Sequence, residues 1–141
     1  MNAPTKLLPA LLTGVLLLVG CGSAESGEGN EGVSLSVSGG FAGVRHGVEI
    51  TSGDEVFLTG REGDRRQVGG LTPQEKTKLD ALLEAVEMTA LPARSIAEDA
   101  RDRFAYRLRH DGHTLVTDGT KDLGSASDLI AHLESIMAAR R

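Results

Sequence analysis

The sequence predicts an α+β fold, an antiparallel β-sheet of four to five strands with two helices packed on one face. Three observations carry that prediction. Val33, Leu35 and Val37 alternate with Ser34, Ser36 and Ser38, and Phe104, Tyr106 and Leu108 alternate with Arg103, Ala105, Arg107 and Arg109. This period of two sends every second side chain to one face of a strand. Leu79, Leu82, Leu83 and Val86, and later Leu129, Ile130, Leu133, Ile136 and Met137, recur instead at the spacing of an amphipathic helix. Between two alternating runs lies Asp111-Gly112, a strong short-range signal for a hairpin turn.

The elements follow in order from Val33. The first strand ends where Gly39-Gly40-Phe41-Ala42-Gly43 interrupts the alternation. Val44, His46, Val48 and Ile50 share one parity in a second strand, and Ser52-Gly53-Asp54 turns the chain into a third, Glu55 to Thr59. After a turn at 60–64, residues 65–68 form a short return strand at an edge, because a single apolar side chain cannot pack a central one. Thr72-Pro73-Gln74-Glu75 reads as a helix start: Thr72 caps, Pro73 is preset for the first turn, and Glu75 closes a capping box. Leu91-Pro92 is expected to end that helix, and 93–101 reads as a polar connector. The Asp111-Gly112 turn pairs His110 with His113, Leu108 with Leu115 and Tyr106 with Thr117. A last helix begins at Ser125 or Ser127 and ends near Arg140 and Arg141, whose charge suits a helix C-terminus.

The N-terminal part has a different character. Met1 to Lys6 carries one cationic side chain, and residues 7–20 are mostly apolar but too few for the roughly 20 needed to span a bilayer. The run stops directly before Cys21, the only cysteine of 141 residues. Leu18-Val19-Gly20-Cys21 resembles the lipobox of bacterial lipoproteins, which implies cleavage of residues 1–20 as a signal peptide and a diacylglyceryl group on the Cys21 thiol. Residues 22–32 (GSAESGEGNEG) hold no bulky apolar side chain, so they read as an acidic, Gly-rich linker with an r.m.s. span of roughly 20 Å. The domains expected are therefore a signal peptide at 1–20, a lipidated Cys21 and linker at 21–32, and one α+β domain at 33–141.

Composition narrows the chemistry. Fifteen Lys and Arg against 20 Asp and Glu give a formal charge of −5, and the basic residues form no long cluster, so nucleic acid is excluded as the expected partner. A lone cysteine supports neither a disulfide scaffold nor a structural zinc site. No HExxH, GxSxG, Walker-type loop or CxxC occurs, so the reading is of a protein without catalytic residues, metal or cofactor. His110 and His113 flank a turn with only Asp111 as a third ligand; His46 reads as a core or rim residue, and His132 lies beside the apolar face of the last helix. Arg103, Arg107 and Arg109 form either a solvated strand face or a surface for an anionic partner. For Phe41 two readings stand side by side. Flanking glycines let the turn display the ring to a partner, or the ring folds back as a plug over the sheet.

The Gly39-Gly40-Phe41-Ala42-Gly43 motif after a short first strand, the helix leading to Met88-Thr89-Ala90-Leu91-Pro92, the strand Asp102-Arg103-Phe104-Ala105-Tyr106-Arg107-Leu108 and the closing Leu129/Leu133 helix together resemble the emfourin family of protealysin inhibitors. The resemblance covers nearly all of 33–137. It implies a small α+β inhibitor of thermolysin-like (protealysin-like) zinc metalloproteases, with Ser38, Gly39, Gly40, Phe41, Ala42 and Gly43 as the protease-binding residues. The lipobox and linker are additions to the family pattern. The combined expectation is a monomer held at the cell membrane on its extracytoplasmic face through lipidated Cys21, inhibiting by occlusion of a protease cleft. The alternative is a lipoprotein binding or envelope-assembly module with no protease target.

Overall fold

The alternating Val/Ser strand of the sequence becomes the middle of the sheet. The computed structural model describes residues 32–141; the expected signal peptide at 1–20, the lipobox-like Leu18-Val19-Gly20-Cys21 and the expected linker up to residue 31 lie outside the described residues. Strand β1 (Val33–Gly39) pairs along its whole length with β2 (Val44–Ile50) on one side and β6 (Phe104–His110) on the other, antiparallel to both. Its register sets Leu35 against Val48 and Leu108, and Val37 against His46 and Tyr106. A strand of alternating Val/Leu and Ser suits this place because one face is covered and the other is wet.

Among the described residues the sheet has seven strands, not four to five. Strands β3 (Glu55–Thr59), β4 (Arg65–Gly70), β5 (Arg94–Ser95) and β7 (His113–Thr117) complete the order β4-β3-β2-β1-β6-β7-β5. The sheet is also mixed, since β5 runs parallel to β7. Two residues are too few to show a period, so β5 was indistinguishable from a connector; it exists because β7 offers its free edge, where the Val116 amide donates to the Ala93 carbonyl at 2.9 Å. Strand β4 takes the expected edge position. The β6–β7 hairpin has the register read from Asp111-Gly112, and both turn residues have positive φ, 48° and 72°, as a primed turn requires.

Both helices lie on the Leu35 face. Helix α1 (Pro73–Ala85) opens with the expected capping box, Thr72 Oγ1 accepting from the Glu75 amide at 3.2 Å and a Glu75 carboxylate oxygen accepting from the Thr72 amide at 2.9 Å. It stops at Ala85, short of Leu91-Pro92. Val86 is extended (φ −83°, ψ 122°), and the chain turns so that Met88, in a short 3-10 turn (Met88–Ala90), is buried in the core. Helix α2 (Ser125–Ala138) buries Ala126, Leu129, Ile130, His132, Leu133, Ile136 and Met137. Among the described residues the core is one continuous cluster drawn from 33–137, with Leu35, Leu108, Leu115, Leu129 and Leu133 at its centre. Burying such side chains is worth about 2 kcal/mol each.

Two polar bridges cross the core. His132 Nε2 lies 3.0 Å from the Glu75 carbonyl, which joins α2 to the first turn of α1. Arg140 donates to both Glu75 carboxylate oxygens at 2.8 and 2.6 Å, and also to the carbonyls of Ile136 and Gly70. That guanidinium ties the end of α2 to α1 and to the end of β4.

Candidate functional site

The turn between β1 and β2 is built from its glycines. Gly39, Gly40 and Gly43 all have positive φ, at 99°, 71° and 58°. A Cβ on Gly39 would stand 2.7 Å from the Arg103 carbonyl oxygen, and one on Gly40 would stand 2.9 Å from the Phe104 ring. Backbone conformation favours glycine at both positions, and at Gly39 the neighbouring backbone also leaves no room for a Cβ. The Gly40 amide donates to the Arg103 carbonyl at 3.2 Å and the Gly43 amide to the Gly40 carbonyl at 3.1 Å, so the turn is held to the start of β6.

At the tip, Phe41 is 99% exposed. The ring does not fold back as a plug over the sheet; it stands in solvent at the tip of the turn. The other large exposed apolar side chain among the described residues is Phe104, 44% exposed, directly opposite Gly39 in the β1–β6 register. Both phenylalanines thus lie at the same end of the sheet. Sequence reasoning missed Phe104, which shares its strand parity with Tyr106 and Leu108. It is exposed only because it lies at the end of its strand, beyond the cover of the helices. Beside the turn, Ser38, Gly39, Gly43, Val44, Arg45 and Arg61 line a shallow depression with two cationic side chains.

The structure also limits how this turn can engage a partner. An extended inhibitor segment binds a cleft by adding a strand, which requires free backbone edges. Ser38 and Gly39 have none, since Ser38 is paired with Arg45 on one side and Ala105 on the other, and Gly39 with Val44 and Phe104. Of the six residues 38–43, only Gly40, Phe41, Ala42 and Gly43 project past the sheet. Ser38 faces the open side of the sheet and Gly39 fixes the turn. The part of the turn free of strand pairing is therefore a tip carrying one aromatic ring.

The remaining candidates are structural. His46 is half-buried at the rim, its pKa lowered by burial and by the neighbouring Arg141 guanidinium. His113 is exposed, its Nδ1 2.7 Å from the Asp111 carbonyl, and His110 is half-buried with an unpartnered Nδ1. Among the described residues no group of three or more His, Cys, Asp or Glu side chains could hold a metal ion. Asp118 accepts from the amides of Ala97 and Thr120, both at 3.0 Å, and these bonds hold its carboxyl below its usual range. It orders the chain leading to Arg103, whose guanidinium donates to Thr120 Oγ1 at 2.8 Å. Arg103 is thereby separated from Arg107 and Arg109, which lie on β6 with their side chains on the uncovered face. No helix among the described residues is long and apolar enough to cross a membrane.

Comparison with protein-family models, curated proteins and solved structures finds no match for this chain.

Proposed function

We propose that this protein is a lipid-anchored, extracytoplasmic inhibitor of thermolysin-like zinc metalloproteases, acting by occlusion of the protease cleft. The observation that carries the reading is Phe41, a large apolar ring held 99% exposed on a turn in which Gly39, Gly40 and Gly43 all have positive φ. A ring in that position adds nothing to the core, and a partner that covers it gains by removing its apolar surface from water. An apolar specificity pocket in a protease cleft is such a partner, and the resemblance of Gly39-Gly40-Phe41-Ala42-Gly43 to the emfourin motif supplies the class of protease. The paired edges of Ser38 and Gly39 favour insertion of a rigid tip over strand addition. The Cys21 lipobox supports anchoring on the extracytoplasmic face.

The test is titration of the purified 32–141 span against a thermolysin-like protease. Phe41→Ala is expected to weaken inhibition by about 2 kcal/mol or more, the range of an interface anchor, with an unchanged urea midpoint. If the unsubstituted domain fails to inhibit at micromolar concentration, the protease reading falls. The exposed tip then belongs to a binding or envelope-assembly module.

A further inference from the structure

The uncovered face of the sheet carries a charge opposite to that of the whole chain. The strand registers place Arg45 of β2, Arg107 and Arg109 of β6, Arg94 of β5 and Arg65 of β4 on this face, with Glu49 and Glu55 as its acidic residues. Five arginines thus face two glutamates in a protein of formal charge −5. Both glutamates are already engaged, Glu49 by a two-pronged pair with Arg65 at 2.9 and 3.0 Å and Glu55 by Gln67 at 3.0 Å. Arg45, Arg94, Arg107 and Arg109 are exposed and take part in no ion pair among the described residues.

The floor between them is short. Arg107 lies between Ser36 and Val116, Arg109 between Ser34 and Thr114, and Arg45 beside Ser38. Long guanidinium side chains therefore stand above a largely flat strand surface, and the shallow depression at Ser38 and Arg45 lies at its end beside the Phe41 turn. From β2 to β5 the patch spans four strand spacings, about 19 Å. No large exposed apolar side chain lies among the arginines, and Phe57 is covered by the Arg65 guanidinium, 3.4 Å from its ring centre. A tight protein interface is anchored by such side chains, and this face lacks them. A flat array of phosphates asks only for guanidinium groups that can reach it, each able to bind a phosphate through two hydrogen bonds.

We propose that this face docks on an anionic phospholipid bilayer. Gly32 enters β1 at the end of the sheet opposite Phe41, so on the anchor reading a Gly-rich tether would join the domain from that end. On the anchor reading, that tether holds the face at high effective concentration beside the headgroups. With the sheet flat on the bilayer, the helices point outward and the Phe41 turn, which lies along the strand axis, extends parallel to the membrane. The partner engaged by Phe41 would then be a protein whose binding cleft opens close to the bilayer surface.

The test is sedimentation of residues 32–141, unanchored, with vesicles of phosphatidylcholine containing phosphatidylglycerol and with phosphatidylcholine alone, at low and high salt. Binding is expected to the anionic vesicles only and to weaken with salt. Arg107→Gln/Arg109→Gln should reduce partitioning by roughly 25-fold, fivefold per arginine, the equivalent of about 1 kcal/mol each. Lys78→Gln/Lys121→Gln removes the same charge away from this face and should change it less than twofold, within the ±0.5 kcal/mol scatter of surface substitutions. Urea midpoints of both double variants verify folding. Absence of binding to anionic vesicles, or equal loss in the two double variants, overturns the proposal and leaves an acidic protein as the partner of this face. Protease inhibition measured on the same preparations is read separately, so that failure of the inhibitor reading leaves the vesicle result standing.

Discussion

Glu75 links the first turn of α1 to the last turn of α2, and replacing it with glutamine isolates the contribution of its charge. The hydrogen bonds from Arg140 are the main reason its carboxyl falls from 4.5 to about 2, with the Thr72 amide adding to the same effect and burial opposing it. The side chains of Arg140 and Glu75 are only 12% and 20% exposed, so solvent screens the pair weakly. A shift of that size corresponds to about 3 kcal/mol between the two protonation states. Since glutamine keeps one acceptor for Arg140 and the Thr72 amide, Glu75→Gln should cost about 2 kcal/mol at neutral pH. In urea that lowers the midpoint by about 1 M. The folded carboxyl is the stronger acid, so its contribution is complete above the unfolded value near 4.5 and is lost as the pH falls toward about 2. The gap between wild type and Glu75→Gln should therefore be full at neutral pH and close across that acid window. A gap of equal size at both ends would refute the argument and place the cost in packing. Arg140→Met provides the companion measurement, with strong non-additivity expected in the double variant.

Two further outcomes are expected. Leu108, fully buried between Leu35 and Leu115, should lose about 2 to 5 kcal/mol as Leu108→Ala, while its exposed neighbour Arg107→Ala should lose well under 1, as denaturant midpoints will read. Cys21→Ser should leave the chain uncleaved and without radiolabelled palmitate in the membrane fraction, and label in that variant would sink the lipobox reading.

What the sequence determined by itself is what neighbouring residues decide among themselves. The Thr72/Glu75 capping box, the primed turn at Asp111-Gly112 with its full register, the buried face of α2 and the edge position of β4 all depend on contacts within a few residues or on a short run of side chains. The glycines around Phe41 were legible as a special turn, but not the fate of the ring. Whether Phe41 is displayed or buried depends on what the rest of the chain places beside it, and only the fold put the start of β6 there while leaving the tip uncovered. The same holds for β1. Its alternation fits any half-buried strand, and its central position arises because β6, some 70 residues later, offers a matching Leu108 and Tyr106 on the covered side. Pairing on both edges then removed strand addition from the ways Ser38 and Gly39 can bind. Strand β5, the early end of α1 at Ala85, the Arg140–Glu75 bridge and the gathering of Arg45, Arg94, Arg107 and Arg109 on one face are equally non-local. Periodicity says which side of its own element a residue occupies; which elements lie next to one another is decided only when the common core closes.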